Sequence, residues 1–388
     1  MKFNIFNIIK MKKNIIYILL SISIFVFGQE PRKFFMPPSE KNIISTDLHI
    51  HTVFSDGVVW PSVRVEEAYR EGIELIAITD HLEYQPHKED IPNLDKNRAF
   101  EIAKMFNQEI DRNDYINFKV PNEKLIVIPG VEITRDTPNP GHINAVFIKD
   151  ANEILQKDSL SGVIKANNQN AFVFWNHPMW SQRDNGIARL ADIHKFMIKN
   201  KLLHGIEVVN FDTFSEEAFS IALDENLTIL GTSDIHGLTY WDYQIDLGGH
   251  RPMTFVITES KDTDEIKKAL FKGQTFIWFN DMIIGKEENI QPILKSNIVI
   301  KSNGYTKDYT SVKINIKNNS CVNFKLEYLG KYSFYKNSKF IVVPKYGEID
   351  LLIKTIKKRK KIDLEFKVEN ALIGPKTSSK VNYSLLLY

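Results

Sequence analysis

The sequence predicts an α/β barrel followed by a small C-terminal β-sandwich. Three observations carry this expectation. Short apolar runs alternate with helical stretches about seven times before residue 287. These runs are rich in Ile, Val and Phe and mostly lack polar alternation, as expected of strands covered on both faces of a parallel sheet. Beyond residue 294 the chain reads as strands alone, several with period-two alternation, as in Val312-Lys313-Ile314-Asn315-Ile316.

Taken in order, Lys10, Lys12 and Lys13 precede an apolar run over residues 15–27 that ends at Gly28. A basic region, a short apolar core and a small residue predict a cleaved export signal over residues 1–28, with an uncleaved N-terminal anchor as the alternative and Met11 as an alternative start. The run is shorter than the roughly 20 residues of a membrane span. A linker over 29–42 follows. Strands are expected at 43–50, 75–79, 125–128, 142–148, 171–175, 206–210, 228–231 and 253–257. Ser62 is the expected cap of a helix over 63–71 that stops at Gly72. A second helix is expected over 96–111. A third starts at the acidic Asp262-Thr263-Asp264-Glu265 and reaches Gly273. These elements form a predicted domain of residues 43–286. Strands at 311–316, 323–329, 340–343, 349–355, 362–368 and 381–387 form a predicted accessory domain of residues 295–388.

The formal charge of +2 gives no reason to expect a nucleic-acid or membrane-surface partner. Cys321 is the only cysteine, so no internal disulfide forms, and its expected role is that of a small buried hydrophobe. The mature protein is expected to be exported, periplasmic or secreted, without a stable membrane partner.

The chemistry lies in six short motifs. They are His49-Ile50-His51 followed by Asp56, Asp80-His81, Gly130-Val131-Glu132, Gly141-His142, Asn176-His177-Pro178 and Asp234-Ile235-His236. Residues i and i+2 of a strand face the same side, so His49 and His51 can share a ligand. Four motifs directly follow expected strands, the end at which α/β barrels build their sites. Any one of them reads equally well as a capped strand end. Six of the ten histidines falling inside them does not. Imidazole and carboxylate without thiolate suit Zn, Mn or Fe.

These motifs resemble the PHP (polymerase and histidinol phosphatase) family, over about residues 43–280. The resemblance implies a distorted seven-stranded (β/α) barrel holding three divalent metal ions (Zn, Mn or Fe). On that template His49, His51, Glu132 and Asp234 hold the first. Glu132 bridges to a second held by His142 and His177, and Asp56, His81 and His236 hold the third. Asp56 stands where some members carry histidine. Asp80 is expected to orient His81 or a neighbour. Within the family, the export signal and C-terminal β-domain resemble secreted phosphodiesterases of the Sb-PDE type.

The implied reaction is hydrolysis of a small anionic phosphoester, most readily a diester, by water acidified between two metals. Asp80 or His250 is the candidate proton donor to the leaving group. Arg251 is the candidate fork to a phosphate oxygen, with a buried salt bridge as its equal alternative. A phosphomonoesterase would need such an extra cation, Arg251 or Arg183. A metallo-amidohydrolase is the alternative from another chemistry. Trp60, Trp180, Tyr240 and Trp241 lie close to the motifs, where aromatic side chains either pack or grip an apolar ester group.

Overall fold

The structure is a computed structural model that describes residues 33–111, 124–136, 139–180, 186–307 and 310–387. The expected export signal and Arg183 lie outside these residues. No helix among the described residues is long and apolar enough to cross a membrane.

The first elements are β1 (Asn42–Asp47), α1 (Pro61–Glu71), β2 (Leu75–Ile78), α2 (Arg98–Glu109), β3 (Ile126–Ile133), β4 (Ile143–Val146), α3 (Ser159–Asn168) and β5 (Phe172–Trp175). Then come α4 (Asp192–Lys199), β6 (Gly205–Asn210), the short β7 (Thr213–Phe214), α5 (Glu216–Asp224), β8 (Thr228–Thr232), α6 (Thr239–Tyr243), β9 (Met253–Thr258) and α7 (Thr263–Phe271). All eight strands expected in this region are present. The cap of α1 is Trp60 rather than Ser62, because Pro61 takes the first helical position, where a missing N–H costs nothing. Gly72 ends the helix in the left-handed region, at φ 78°.

The sheet is mixed, not uniformly parallel as expected. β1, β2 and β3 are parallel neighbours, as are β5, β6 and β8. However, β4 runs antiparallel to both β3 and β5, and β9 antiparallel to β1. This reversal matters for the chemistry. The residue before an antiparallel strand lies on the same rim as the residues after its parallel neighbours. His142 therefore lands beside the C-terminal ends of β3 and β5.

β8 pairs with β6, and threonine hydroxyls reach it from β9 and the next strand, β10 (Thr275–Phe279). Thr254 Oγ1 accepts from Gly231 N–H at 2.9 Å and donates to Gly231 C=O at 2.8 Å. Thr275 Oγ1 donates to Ile229 C=O at 2.8 Å. This junction leaves no room at Gly231, where an added Cβ would lie 2.4 Å from Ile277 Cγ2. Gly231→Ala is expected to destabilise the fold by about 1–3 kcal/mol through overpacking. Thermal unfolding checks this, and an unchanged midpoint would show that Ile277 repacks freely.

β10 and β11 (Met282–Gly285) form a hairpin that sequence reading passed over. After α8 (Glu287–Asn297) come β12 (Ile298–Tyr305), β13 (Ser311–Asn318), β14 (Phe324–Tyr328), β15 (Ser333–Tyr335), β16 (Phe340–Val343), β17 (Glu348–Lys354), β18 (Lys361–Gly374) and β19 (Thr377–Leu386). They make a β-sandwich. One sheet has the order β12-β13-β17-β15, and the other contains β16-β14-β18 with β19 on β18. The second sheet does not stop at the sandwich. β18 pairs with β11 through Ile283–Ala371 and Ile284–Leu372, giving one continuous 15-stranded sheet. One apolar cluster also runs through both regions, from Tyr69 and Phe255 to Ile314 and Phe366. Cys321 is buried in it, as expected.

Candidate metal centre

The strand ends bring all nine expected ligands to one place. His49 and His51 follow β1, His81 follows β2, Glu132 lies near the end of β3, His177 follows β5, and Asp234 and His236 follow β8. His142 enters from the start of β4. Asp56 comes from the loop after β1.

Glu132 is the hub and is fully buried. Its Oε2 lies 3.3 Å from His49 Nε2, 3.2 Å from His51 Nε2 and 2.8 Å from His81 Nδ1. Its Oε1 lies 3.0 Å from His142 Nδ1 and 3.4 Å from His177 Nε2. Asp234 Oδ1 lies 3.2 Å from His49 Nε2 and 3.1 Å from His51 Nε2. Asp56 places one oxygen 3.2 Å from His236 Nε2 and the other 3.3 Å from His81 Nε2. Two of these residues hold left-handed backbone, His177 at φ 26° and Asp234 at φ 50°. Such conformations cost roughly 1–3 kcal/mol outside glycine and cluster at functional sites.

The donors fit divalent metal ions. His49 Nε2 and His51 Nε2 point at each other across 3.0 Å. Glu132 Oε2, Asp56 Oδ1 and His81 Nδ1 are buried and make no hydrogen bond, although His81 Nδ1 and Glu132 Oε2 are close. Buried polar atoms rarely stay unsatisfied, and atoms that converge without bonding one another are placed as ligands are. Four sets can each hold an ion. They are His51, Asp56, His81 and His236; His49, His177 and Asp234; His49, His51 and Glu132; and His81, Glu132 and His142. Here His177 groups with His49 and Asp234, whereas the family template paired it with His142.

The electrostatics agree. Burial alone would lower the His49 pKa, but Asp234, Glu207 and Glu132 outweigh it and hold the ring well above its ordinary value. His81 is likewise raised to about 10 against its burial, by Glu132 and Asp56. Burial would raise Glu132, Asp56 and Asp234, yet the surrounding histidines hold all three carboxyls below the ordinary carboxylate range. A field that retains protons on buried imidazoles also favours cations.

Sequence reasoning missed the residues beneath the ligands. Glu207, fully buried in β6, takes the His49 Nδ1 hydrogen bond at 2.8 Å on Oε1. It also accepts from His177 N–H at 2.6 Å and Thr232 Oγ1 at 2.6 Å. The carboxylate thereby turns His49 Nε2 toward the site. A glutamate inside the otherwise apolar run 206–209 was the available signal. Glu207→Gln is expected to weaken metal binding about 10–100-fold with the fold retained. Competition with a chelator measures this, and undiminished affinity would leave Glu207 with a packing role only. Asn176 Nδ2 donates to Glu132 Oε1 at 2.8 Å. Arg64, also fully buried, donates to the carbonyls of His51, Ile235 and His236 and so ties two ligand loops together.

The three residues expected to serve the substrate do other work. Asp80 holds a neighbour rather than His81: it bonds Ser55 Oγ, which lies 3.2 Å from His51 Nδ1. Its oxygens accept from Thr52 N–H at 2.8 Å, Thr52 Oγ1 at 2.7 Å and Ser55 Oγ at 2.5 Å, holding the loop that carries Asp56. With both oxygens engaged there, Asp80 is not placed as a proton donor. Arg251 is fully buried and grips Glu71 with two nitrogens, at 2.9 and 2.6 Å, and Asp47 with a third at 2.9 Å. The salt-bridge alternative holds: all three guanidinium nitrogens are engaged by carboxylates, and the side chain is fully buried and does not line the cavity at the ligands. His250 stacks on Trp278 at 3.4 Å, and its two ring nitrogens face the carbonyls of Arg251 and Asn280. It is not among the residues lining the cavity at the ligands.

Of the four aromatics, Trp180 packs on the rings of His142 and His177, at 5.4 and 5.5 Å. Trp60 packs on Phe54, while Tyr240 bonds Asp246 and Trp241 is exposed.

A two-domain protein of Bacteroides vulgatus, described as containing a predicted PHP-like metal-dependent phosphoesterase, is 32% identical in sequence. The alignment covers 92% of this chain and 100% of that one, with a TM-score of 0.82. A chain of Bifidobacterium adolescentis named as a metal-dependent phosphoesterase is 17% identical, covering 61% of this chain and 98% of that one (TM-score 0.39). An amidohydrolase of Chromobacterium violaceum is 15% identical, covering 50% and 87% (TM-score 0.32). Neither of these two likenesses is close enough to carry an argument. No curated protein matches the chain. Residues 298–384 match a family described as an Ig-like domain, in agreement with the sandwich. By its full-length likeness to the Bacteroides vulgatus protein, the chain belongs to the PHP-like metal-dependent phosphoesterases.

Proposed function

We propose that the protein hydrolyses small organic phosphodiesters at a centre of three divalent metal ions, outside the cytoplasm. The observation that carries this reading is Glu132, one buried carboxylate facing five histidines with two oxygens. Bound ions would supply positive charge for the phosphoryl oxygens and acidify water near neutral pH. The chain's own residues do the holding. Glu132, Asp234 and Asp56 set the positions of the histidines, Glu207 fixes the presentation of His49, and Arg64 and Asp80 lock the loops.

A diester is favoured over a monoester by charge. A dianionic monoester calls for a further cation beside the metals; of the two candidates, Arg251 is consumed by Glu71 and Asp47, and Arg183 lies outside the described residues. Among the described residues, the cavity at the ligands is lined by Asp212 and Asp242 and by no Lys or Arg. The expected partner is thus a small, singly charged ester, with no nucleic acid. Export rests on the basic and apolar N-terminal run.

The test is turnover of bis-p-nitrophenyl phosphate against p-nitrophenyl phosphate by protein loaded with Mn, Zn or Fe. Metal-dependent preference for the diester supports the proposal. Preference for the monoester moves the assignment to a phosphatase, and no turnover of either by fully loaded protein removes the phosphoesterase reading.

A further inference from the structure

A cavity of about 500 Å³ opens at the candidate centre, and His177, Asp234 and His236 form part of its lining. Trp180 and Phe211 form another part. Trp180 lies edge-on to His177 and tilted on His142, yet remains 36% exposed. Phe211 is 39% exposed, rests against Tyr243 at 5.6 Å, and occupies left-handed backbone at φ 53°. A bulky residue in that conformation is uncommon, so its exposed ring is held there at a conformational cost. Two aromatic side chains thus meet solvent in the same cavity as three candidate ligands.

A phosphate seated at His177, Asp234 and His236 sends any second ester group into this cavity. The group that follows cannot favourably carry a second negative charge, because Asp212 and Asp242 share the lining. It can bury apolar surface against Trp180 and Phe211. We propose that these two side chains hold the non-leaving arm of the diester, with Trp180 setting the preference for an aryl or bulky apolar arm over a small alkyl one. This inference rests on the phosphodiester reading and adds its substrate class. Edge-on and offset stacking of an aryl arm on Trp180 adds to simple burial.

The test compares phenyl p-nitrophenyl phosphate with methyl p-nitrophenyl phosphate on the metal-loaded full chain. Both release p-nitrophenol, so the difference in kcat/KM, corrected for the uncatalysed rates, reports the arm. The wild type is expected to favour the phenyl ester at least tenfold, through KM. Trp180→Ala and Phe211→Ala are expected to lower that ratio, and Trp180→Phe to restore most of it. The ratio does not depend on the fraction of protein loaded, which matters because Trp180 touches two ligand rings. Calorimetric affinities of diphenylphosphinate and dimethylphosphinate should follow the same order. Equal corrected kcat/KM for the two esters, or a ratio unmoved in Trp180→Ala, overturns the inference while leaving the phosphodiesterase reading intact. No turnover of either ester by loaded wild type overturns both.

Discussion

Glu132→Gln is expected to lower phosphoester turnover by about 10³-fold or more and to strip metal from the protein, with the fold retained. The substitution keeps the shape of the side chain and removes one negative charge. That charge faces His49, His51, His81, His142 and His177 at 2.8–3.4 Å, so this one change touches five candidate ligands. An amide must also present an NH₂ to one side, directed at either Asn176 Nδ2 or a ring nitrogen, where an acceptor is now used. The folded state should survive, because the strand ladder of β3 to β2 and β4 does not pass through this side chain. Metal content, circular dichroism and turnover together make the test. Wild-type metal content and activity in Glu132→Gln would sink the proposed centre.

The sequence exposed the ligands more fully than their setting, and the reason is physical. All of the nine but Asp56, which lies in the loop after β1, sit at or next to a strand end, where polar residues interrupt an apolar run and stand out. Glu207 lies within β6 and Asp47 closes β1, each beside apolar or small residues, and neither was given a role for want of a visible partner. Their partners, His49 and Ser233, are far away in sequence and meet them only in the folded sheet. The sense of β4 was equally hidden. A four-residue strand such as Ile143-Asn144-Ala145-Val146 reads the same in either direction, so only pairing shows that His142 joins the rim from the strand's start. The β10–β11 hairpin was missed because Thr275 to Gly285 lies where one domain appeared to end. In fact β11 carries the sheet onward into the sandwich.

Arg251→Met is expected to act on stability rather than on substrate affinity. Arg251 is fully buried, with two nitrogens on Glu71 and one on Asp47. Its removal strands two buried carboxylates, which costs about 3–5 kcal/mol and lowers the melting temperature by roughly 5–15 °C. The damage extends toward the ligands. Asp47 also accepts from Ser233 N–H at 3.1 Å and Ser233 Oγ at 2.5 Å, one residue before Asp234. Glu71 accepts from Thr239 Oγ1 at 2.8 Å, just past His236. Arg251 therefore braces both sides of the segment that carries two candidate ligands. Lysine should not substitute, since a single ammonium cannot match a fork that bonds two carboxylates at once. Arg251→Met with Glu71→Gln should recover part of the loss, because one of the two stranded charges is gone. The opposite pattern, a raised KM with an unchanged melting temperature, would mean that Arg251 reaches substrate after all and would reopen the monoesterase reading.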